Sequence, residues 1–358
     1  MPRSKPKTSQ PRPQGLQGWK AAIHEYVMLT NQSELEYRSS HFAPLVTDED
    51  HLARLEGKLV RIREREQSRQ ASAVKNESKA ELVRVHEAGR ETSVLLRIRL
   101  KKTVQQQGSV YVEDRCEYER VWVQDQGGRW RIVRVEPVVA ERRPRFVSSQ
   151  SGQDEQYLES GYGAGPFPKQ QSAPYLNYDI LTDFKHHRAG ITYRRDMVAA
   201  YADLWWDKPN PAYEEFEVNC TNYVSQCLFA GNAPMNYTGR RDSGWWYKGR
   251  DKGRELWSFS WAVSAALQSL LNKPKNQGLR ARQVQSAGEL SLGDVIVYDW
   301  NGDGRYQHST IVTAFDTLGM PLVNANTVSS RHRYWDYRDS YAWTERTRYG
   351  LFHIVDEL

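Results

Sequence analysis

From Val94 to Lys101 apolar residues recur at every second position: Val94, Leu96, Ile98 and Leu100 alternate with Arg97, Arg99 and Lys101. A period of two is that of a half-buried strand and does not fit a helix face. A second extended run covers Val110 to Val123. A third pairs Trp130, Ile132 and Arg134 with Arg131, Val133 and Val135, and Gln126-Gly127-Gly128 between the last two is a hairpin signal. Upstream the period is helical. Trp19, Ile23, Tyr26 and Val27 share a face within residues 16–29, and Leu52, Leu55, Leu59 and Ile62 form a stripe within residues 48–70. Helices first and an antiparallel meander after them predict an α+β layer over residues 19–139.

That order resembles the cone-shaped SnoaL-like and cystatin-like folds. The resemblance implies a small accessory domain that binds a ligand, binds a partner or supports the second domain. Cys116 falls inside a strand, where core packing is its expected role. Residues 1–18 are basic and Pro/Gln-rich, which predicts a disordered arm. Arg142-Arg143-Pro144-Arg145 opens a Ser/Gln/Gly/Pro-rich run, so a flexible linker is expected over residues 140–178 and a second domain over 179–358.

The second domain opens on a helix. Met197, Ala200, Tyr201 and Leu204 lie at helix-face spacing, Thr192 is a candidate N-cap, and Pro209 and Pro211 stop the run. Next come a helix beginning at Cys220, an aromatic loop at Trp245-Trp246-Tyr247 and a helix around residues 260–271. After Gly288 the pattern turns to strands at 294–298, 308–314, 322–326 and 350–355. Helices carrying a cysteine, then an antiparallel sheet carrying a histidine, resemble the layout of papain-like thiol hydrolases.

Cys220 follows the polar residue Asn219 and begins the run Thr221-Asn222-Tyr223-Val224-Ser225-Gln226-Cys227. A cysteine in a helix's first turn faces free N–H groups that favour thiolate, the nucleophilic form. The plainer reading is a small buried cysteine at a helix start. His308 begins the strand His308-Ser309-Thr310-Ile311-Val312, from which an imidazole would take the thiol proton and return one to the leaving group. On that strand His308, Thr310 and Val312 share one face, and Ser309, Ile311 and Thr313 the other. Asn324 and Asn326 share a face of the next strand, and either amide oxygen could orient the imidazole, with Asn326 preferred. Backbone N–H of Cys220 plus a donor from Asn219 or Tyr213 would form the oxyanion hole. Trp245 and Trp246 are candidates for lining a substrate groove, with core packing as the alternative.

Gly293-Asp294-Val295-Ile296-Val297-Tyr298 and then His308-Ser309-Thr310-Ile311-Val312 resemble the signature of the NlpC-type and CHAP-type peptidoglycan amidases and endopeptidases. The putative amidase domain family is a stronger resemblance. Its Tyr-Ala helix, its Cys-Thr-Asn-(Phe/Tyr)-Val-Ser-Gln-Cys box, its Asp-x-(Asn/Asp)-Gly-Asp-Gly loop and its histidine strand all occur here in order, between residues 193 and 328. The resemblance implies a cysteine hydrolase acting on an amide or peptide, with cell-wall peptides among the substrates and no cofactor. Asn219 stands where aspartate is commoner in the family, and Asn326 where a histidine is frequent. Asp299, Asn301 and Asp303 occupy positions one, three and five of a calcium-type loop, but Thr310 stands at position twelve, so a polar turn is the favoured reading over a metal site.

At 358 residues, with 39% hydrophobic and 26% charged residues, the chain is long enough for two cores. A net charge of +6 spread through both halves does not compel nucleic-acid binding. Three cysteines at these spacings make no disulfide framework; Cys220 and Cys227 are two helical turns apart, about 10 Å. With no signal-peptide pattern and no transmembrane run, a cytoplasmic location is the default expectation, export by another route staying open. The expected function is amide hydrolysis through an acyl-enzyme. The alternatives are a degenerate domain used for binding and a same-fold acyltransferase.

Overall fold

The computed structural model describes residues 17–142 and 190–358, so nearly all of the expected arm and of the expected linker lie outside the described residues. Helix α1 spans Trp19–Glu36, a turn longer than its apolar face announces, and α2 spans Glu49–Ser68. Asp48 caps α2 by accepting from His51 N at 2.9 Å, and its other oxygen accepts from Val135 N at 2.8 Å. Four strands come next: β1 (Ala71–Ala88), β2 (Glu91–Gln106), β3 (Ser109–Asp125) and β4 (Trp130–Pro137). The apolar side of β2 that alternation predicts is buried beneath the two helices, as Val94, Leu96, Ile98 and Leu100 join Tyr26, Leu59 and Ile62 in one core. Strand β1 has no such alternation; it pairs with β2 along its whole length yet is almost wholly exposed.

The C-terminal region contributes α3 (Arg195–Trp205), α4 (Cys220–Ala230), a short hairpin of β5 (Tyr247–Asp251) and β6 (Arg254–Trp257), α5 (Phe259–Ala262) and α6 (Ser264–Leu271). Six strands complete it: β7 (Ala281–Gln283), β8 (Val295–Asp299), β9 (His308–Phe315), β10 (Pro321–Ala325), β11 (Ser330–Tyr334) and β12 (Arg348–Ile354). Helices and a mostly antiparallel sheet make the α+β fold that the sequence predicts. Thr192 does not cap α3; Arg194 holds the N-cap position and supplies no side-chain cap.

The two regions share one sheet. Its order is β1-β2-β3-β11-β10-β9-β8-β12-β7, with β4 on the remaining length of β3. The junction is Ser330 opposite Arg115 and Arg331 opposite Asp114, extended by Cys116 N donating to Ser329 O at 2.8 Å. Beside it Asp339, with no accessible surface, meets Arg333 at 3.0 Å, Arg65 at 3.2 Å and Arg115 at 3.6 Å. These cations, Arg333 and Arg65 foremost, hold its carboxyl well below the usual range despite burial. No helix among the described residues is long and apolar enough to cross a membrane.

Within the C-terminal sheet the alternation of β8 and β9 separates two cores. Val295, Val297 and Ile311 face the helices, packing with Val224, Cys227 and Leu228 of α4. Ile296, Tyr298 and Val312 face the other way, packing with Trp300, Val323 and Tyr337.

Candidate active site

Every residue of α4 from Cys220 to Phe229 is buried, including its polar ones. A helix sunk on all sides needs a partner for each polar group, because an unpaired one costs about 1–3 kcal/mol. The box supplies them. Thr221 Oγ1 lies 3.1 Å from Ser309 Oγ of β9, which in turn donates to Ser264 Oγ at 2.9 Å. Asn222 donates to Glu214 O at 2.8 Å and accepts from Trp261 Nε1 at 2.7 Å. Tyr223 OH donates to Ala202 O at 2.7 Å, Ser225 Oγ to Trp261 O at 2.9 Å, and Gln226 accepts from Tyr201 OH at 2.8 Å. The Tyr-Ala helix is thus one wall of the socket into which the box fits.

Cys220 is the first residue of α4 and only 1% exposed. Asn219 holds the N-cap position, yet its side chain makes no capping bond. Its oxygen accepts from Asn222 Nδ2 at 2.8 Å and its amide donates to Asn326 Oδ1 at 2.7 Å. The cap comes from far along the chain instead. Thr327 Oγ1, in the turn between β10 and β11, accepts from Cys220 N at 2.7 Å and from Asn219 N at 3.0 Å. The backbone N–H expected in the oxyanion hole is therefore bonded to this hydroxyl. Burial pushes the Cys220 thiol up, opposed by hydrogen bonds from the Thr327 hydroxyl, the Ser309 backbone and Thr221. The helix-start field expected to favour thiolate is outweighed here by desolvation.

His308 is fully buried, but on the other side of the strand. Its ring sits with Tyr298 at 5.5 Å, Trp300 at 5.9 Å and Tyr337 at 5.3 Å between centroids. Nε2 lies 3.4 Å from Tyr337 OH, and Nδ1 has no hydrogen-bond partner. Burial first, and the Arg333 charge second, push its pKa down to about 3. The imidazole is neutral near pH 7 and makes no hydrogen bond to Cys220 Sγ. The physical reason is the two-residue period of β9: it is Ser309, not His308, that faces α4.

The asparagines also differ from expectation. Asn326 Nδ2 donates to Trp205 O at 2.9 Å and Trp206 O at 3.1 Å, so the residue ties the end of α3 to Asn219. Asn324 accepts from Thr313 Oγ1 and from His332 N, both at 2.8 Å, and donates to Asp203 Oδ1 at 2.9 Å. Neither bonds to His308. Asp203 also lies 3.3 Å from His332 Nε2 and 3.1 Å from Arg331 Nε, a carboxylate–histidine pair that sequence reasoning missed because its members lie on distant elements.

Other candidates settle into the scaffold. Trp245 and Trp246 are buried at 1% and 2% exposure, and Trp245 lies against Trp261 with centroids 5.0 Å apart, so they fill the core and line no groove. Tyr213 stacks on Trp261 at 6.1 Å. The Asp299 carboxylate accepts from the backbone N–H groups of Asn301, Gly302, Asp303 and Gly304 at 2.7–3.3 Å, which closes the polar turn on itself. Asp303 accepts from Arg305 N at 2.9 Å, and no cluster suited to a metal occurs among the described residues. Gly293-Asp294 is an anchor. Gly293 has φ +79°, and a Cβ there would lie 3.1 Å from Tyr193 OH, which donates to Gly293 O at 2.7 Å. Asp294 accepts from Arg195 at 2.8 Å, meets His353 Nδ1 at 2.8 Å and accepts from Ile354 N at 3.0 Å, fastening α3 to β12.

Residues 192–351 match a family model described as a putative amidase domain. The chain is 51% identical over 170 residues to the uncharacterized protein YhbB of Bacillus subtilis (strain 168), an alignment covering 47% of this chain and 53% of that protein. The chain thus spans about half the length of the curated relative it matches.

Proposed function

We propose that the C-terminal region is a cysteine-dependent amide hydrolase in which Cys220 is the nucleophile and His308 the proton carrier. The observation that supports this reading most is the placement of the thiol. Cys220 heads a buried helix against Ser309, the residue next to His308, within the segment that resembles amidases. The bound reaction would begin with transfer of the thiol proton to the imidazole and attack of sulfur on the amide carbonyl. Collapse of the tetrahedral intermediate breaks the C–N bond, the imidazolium returns its proton to the departing amine, and water then releases the acid from the thioester. Peptide amides, those of the cell wall first, are the substrates to test.

The described arrangement is a resting one. For catalysis the start of β9 must turn over so that the His308 ring exchanges sides, and Thr327 must yield the Cys220 N–H to the substrate oxygen. In hydrogen bonds the ring gives up only one 3.4 Å contact to Tyr337, its Nδ1 having no partner where it is, but it must also leave its packing against Tyr298, Trp300 and Tyr337. Asn324 and Asn326, held by Asp203 and by α3, act as supports of the α4 socket in this reading.

A second reading is favoured by the same resting geometry: a binding module with no turnover, since thiol and imidazole are both neutral and on opposite faces. Turnover of amide and peptide substrates, cell-wall peptides first, separates the two. A hydrolase gives cleavage that is abolished in both Cys220→Ala and His308→Ala. Absence of cleavage by the wild-type chain, or cleavage indifferent to Cys220, sinks the hydrolase reading; alkylation of Cys220 without substrate rises only in alkaline solution in either case. Product analysis with added amine distinguishes hydrolysis from acyl transfer.

A further inference from the structure

Strand β1 is the outermost strand of the sheet, and its outer edge pairs with no strand among the described residues. It is 18 residues long and nearly all exposed from Lys79 to Ala88. Four of the eleven exposed large hydrophobics lie on it: Val74, Leu82, Val83 and Val85, at 39–52% exposure. Asn31 of α1 lies over β1, accepting from Asn76 Nδ2 at 3.2 Å and from Ser78 Oγ at 2.8 Å, and Met28, one turn earlier, is 41% exposed on that side. A long open edge with flanking apolar groups is a template for strand addition.

The charges on β1 say what would add. Lys75, Glu77, Lys79 and Glu81 recur at period two on the face away from Asn31 and are exposed. In a two-fold antiparallel pair some residue must face itself. Placing Ser78 on the axis sets Lys75 against Glu81 and Glu77 against Lys79, each twice by symmetry, with Val74 against Leu82 and Ala73 against Val83. Moving the axis to residue 77 brings Glu77 onto Glu77 and Lys75 onto Lys79; moving it to residue 79 brings Lys79 onto Lys79 and Glu77 onto Glu81. Axes at residues 76 and 80 avoid like charges too but engage only Lys75 with Glu77 or Lys79 with Glu81, whereas the register about Ser78 sets all four charges against opposite signs. The bulges of β1, at Val74 and Val83, fall outside the regular stretch that carries these charges. Within one copy the same groups approach along the strand, Lys75 with Glu77 at 3.0 Å and Lys79 with Glu81 at 3.6 Å, so all four lie on one exposed face.

We infer that β1 is the interface for a second copy of this chain, joined antiparallel edge to edge about Ser78, so that one sheet runs through both copies. The test is the mass of the full chain in solution, by light scattering and sedimentation at high micromolar concentration. The wild-type chain sediments as a dimer. Lys79→Glu turns two attractive cross-strand pairs into repulsive ones and weakens association at least about tenfold. Adding Glu77→Lys to Lys79→Glu exchanges the signs and restores the dimer, an outcome that mere surface disturbance does not produce. Ser78→Cys crosslinks to itself across the axis under mild oxidation, since facing Cα atoms there are about 4.5–5.5 Å apart. A wild-type chain that stays monomeric overturns the proposal and makes the charges a guard against edge pairing. A dimer indifferent to Lys79→Glu overturns it equally, by placing the interface elsewhere.

Discussion

The two faces of β9 solve the same problem, burying polar groups, by different means. On the helix side, around Cys220, the buried polar residues of α4 are neutral and matched by neutral partners: Thr221 with Ser309, Asn222 with Trp261, Ser225 with Trp245 and Trp261. On the far side, around His308, burial is achieved with rings and charges. Arg333 lies 3.9 Å from the Tyr337 ring centroid, and Asp339 gathers three guanidinium groups. The far side is also where the N-terminal region attaches, through Arg65 and Arg115. Neutral pairing gives a socket of fixed shape that is insensitive to pH. Charge pairing gives a strong joint that depends on every partner being present.

The largest effect should come from the charged side. Asp339→Ala leaves three buried cations without their shared partner and is expected to cost about 3–5 kcal/mol in denaturant unfolding, against much less for an exposed pair such as Arg240–Asp242. The next lies in pH. The His308 pKa is lowered to about 3, so the unfolded chain takes up a proton near pH 6.5 that the folded chain refuses. Stability contributed by neutral His308 is present above about pH 6.5 and is lost as pH falls toward about 3, with a slope approaching 1.4 kcal/mol per pH unit. In His308→Gln that part of the slope disappears, measurable as the difference between the two chains' stability–pH curves.

Glu119 tests the sign in the opposite direction within the N-terminal region. Burial, and then the charge of Glu117, raises its pKa to about 7, although Tyr26 OH donates to it at 2.7 Å. Its contribution is fully present below about pH 4.5 and is lost as pH rises toward about 7, on the order of 3 kcal/mol in all. Glu119→Gln should therefore gain stability relative to wild type at pH 8 and not at pH 4. On the neutral side Ser225→Ala leaves Trp245 Nε1 unpaired, and about 2 kcal/mol is expected, unchanged between pH 5 and 8. The smallest change is Thr327→Val, which removes the cap of α4 at a cost of about 1 kcal/mol and, by deleting a hydrogen bond that favours the thiolate, slows alkylation of Cys220.

Much of the fold can be read from the sequence, because period is a local property. The strand at 94–100, the helix at 48–70, the start of α4 at Cys220 and the strand beginning at His308 all announce themselves through spacing. Strand β1 does not: as an edge it has no buried face to impose alternation, and its residues carry the signature of exposure instead. The site was less legible. Alternation says that His308 and Ser309 point opposite ways, but which way faces the helix is a tertiary choice that no local pattern contains. The same holds for Thr327, which caps a helix more than a hundred positions earlier in the chain. The specificity of the Cys-Thr-Asn-Tyr-Val-Ser-Gln-Cys box has a physical basis apart from chemistry, since each polar member answers a particular group in its socket.

The junction of β3 with β11 bears on how the chain reaches this state. Arg115 and Ser330 are neighbours in the sheet with most of the sequence between them, so their contact is expected to close late, after the local pairings have formed. All pairings among β1 to β4 lie within the N-terminal region, so during synthesis they are expected to form first, with the lower part of β3 left open at its edge until β11 arrives. Refolding should accordingly show a slow late phase that tracks the burial of Asp339, and aggregation should be greatest in the interval before it.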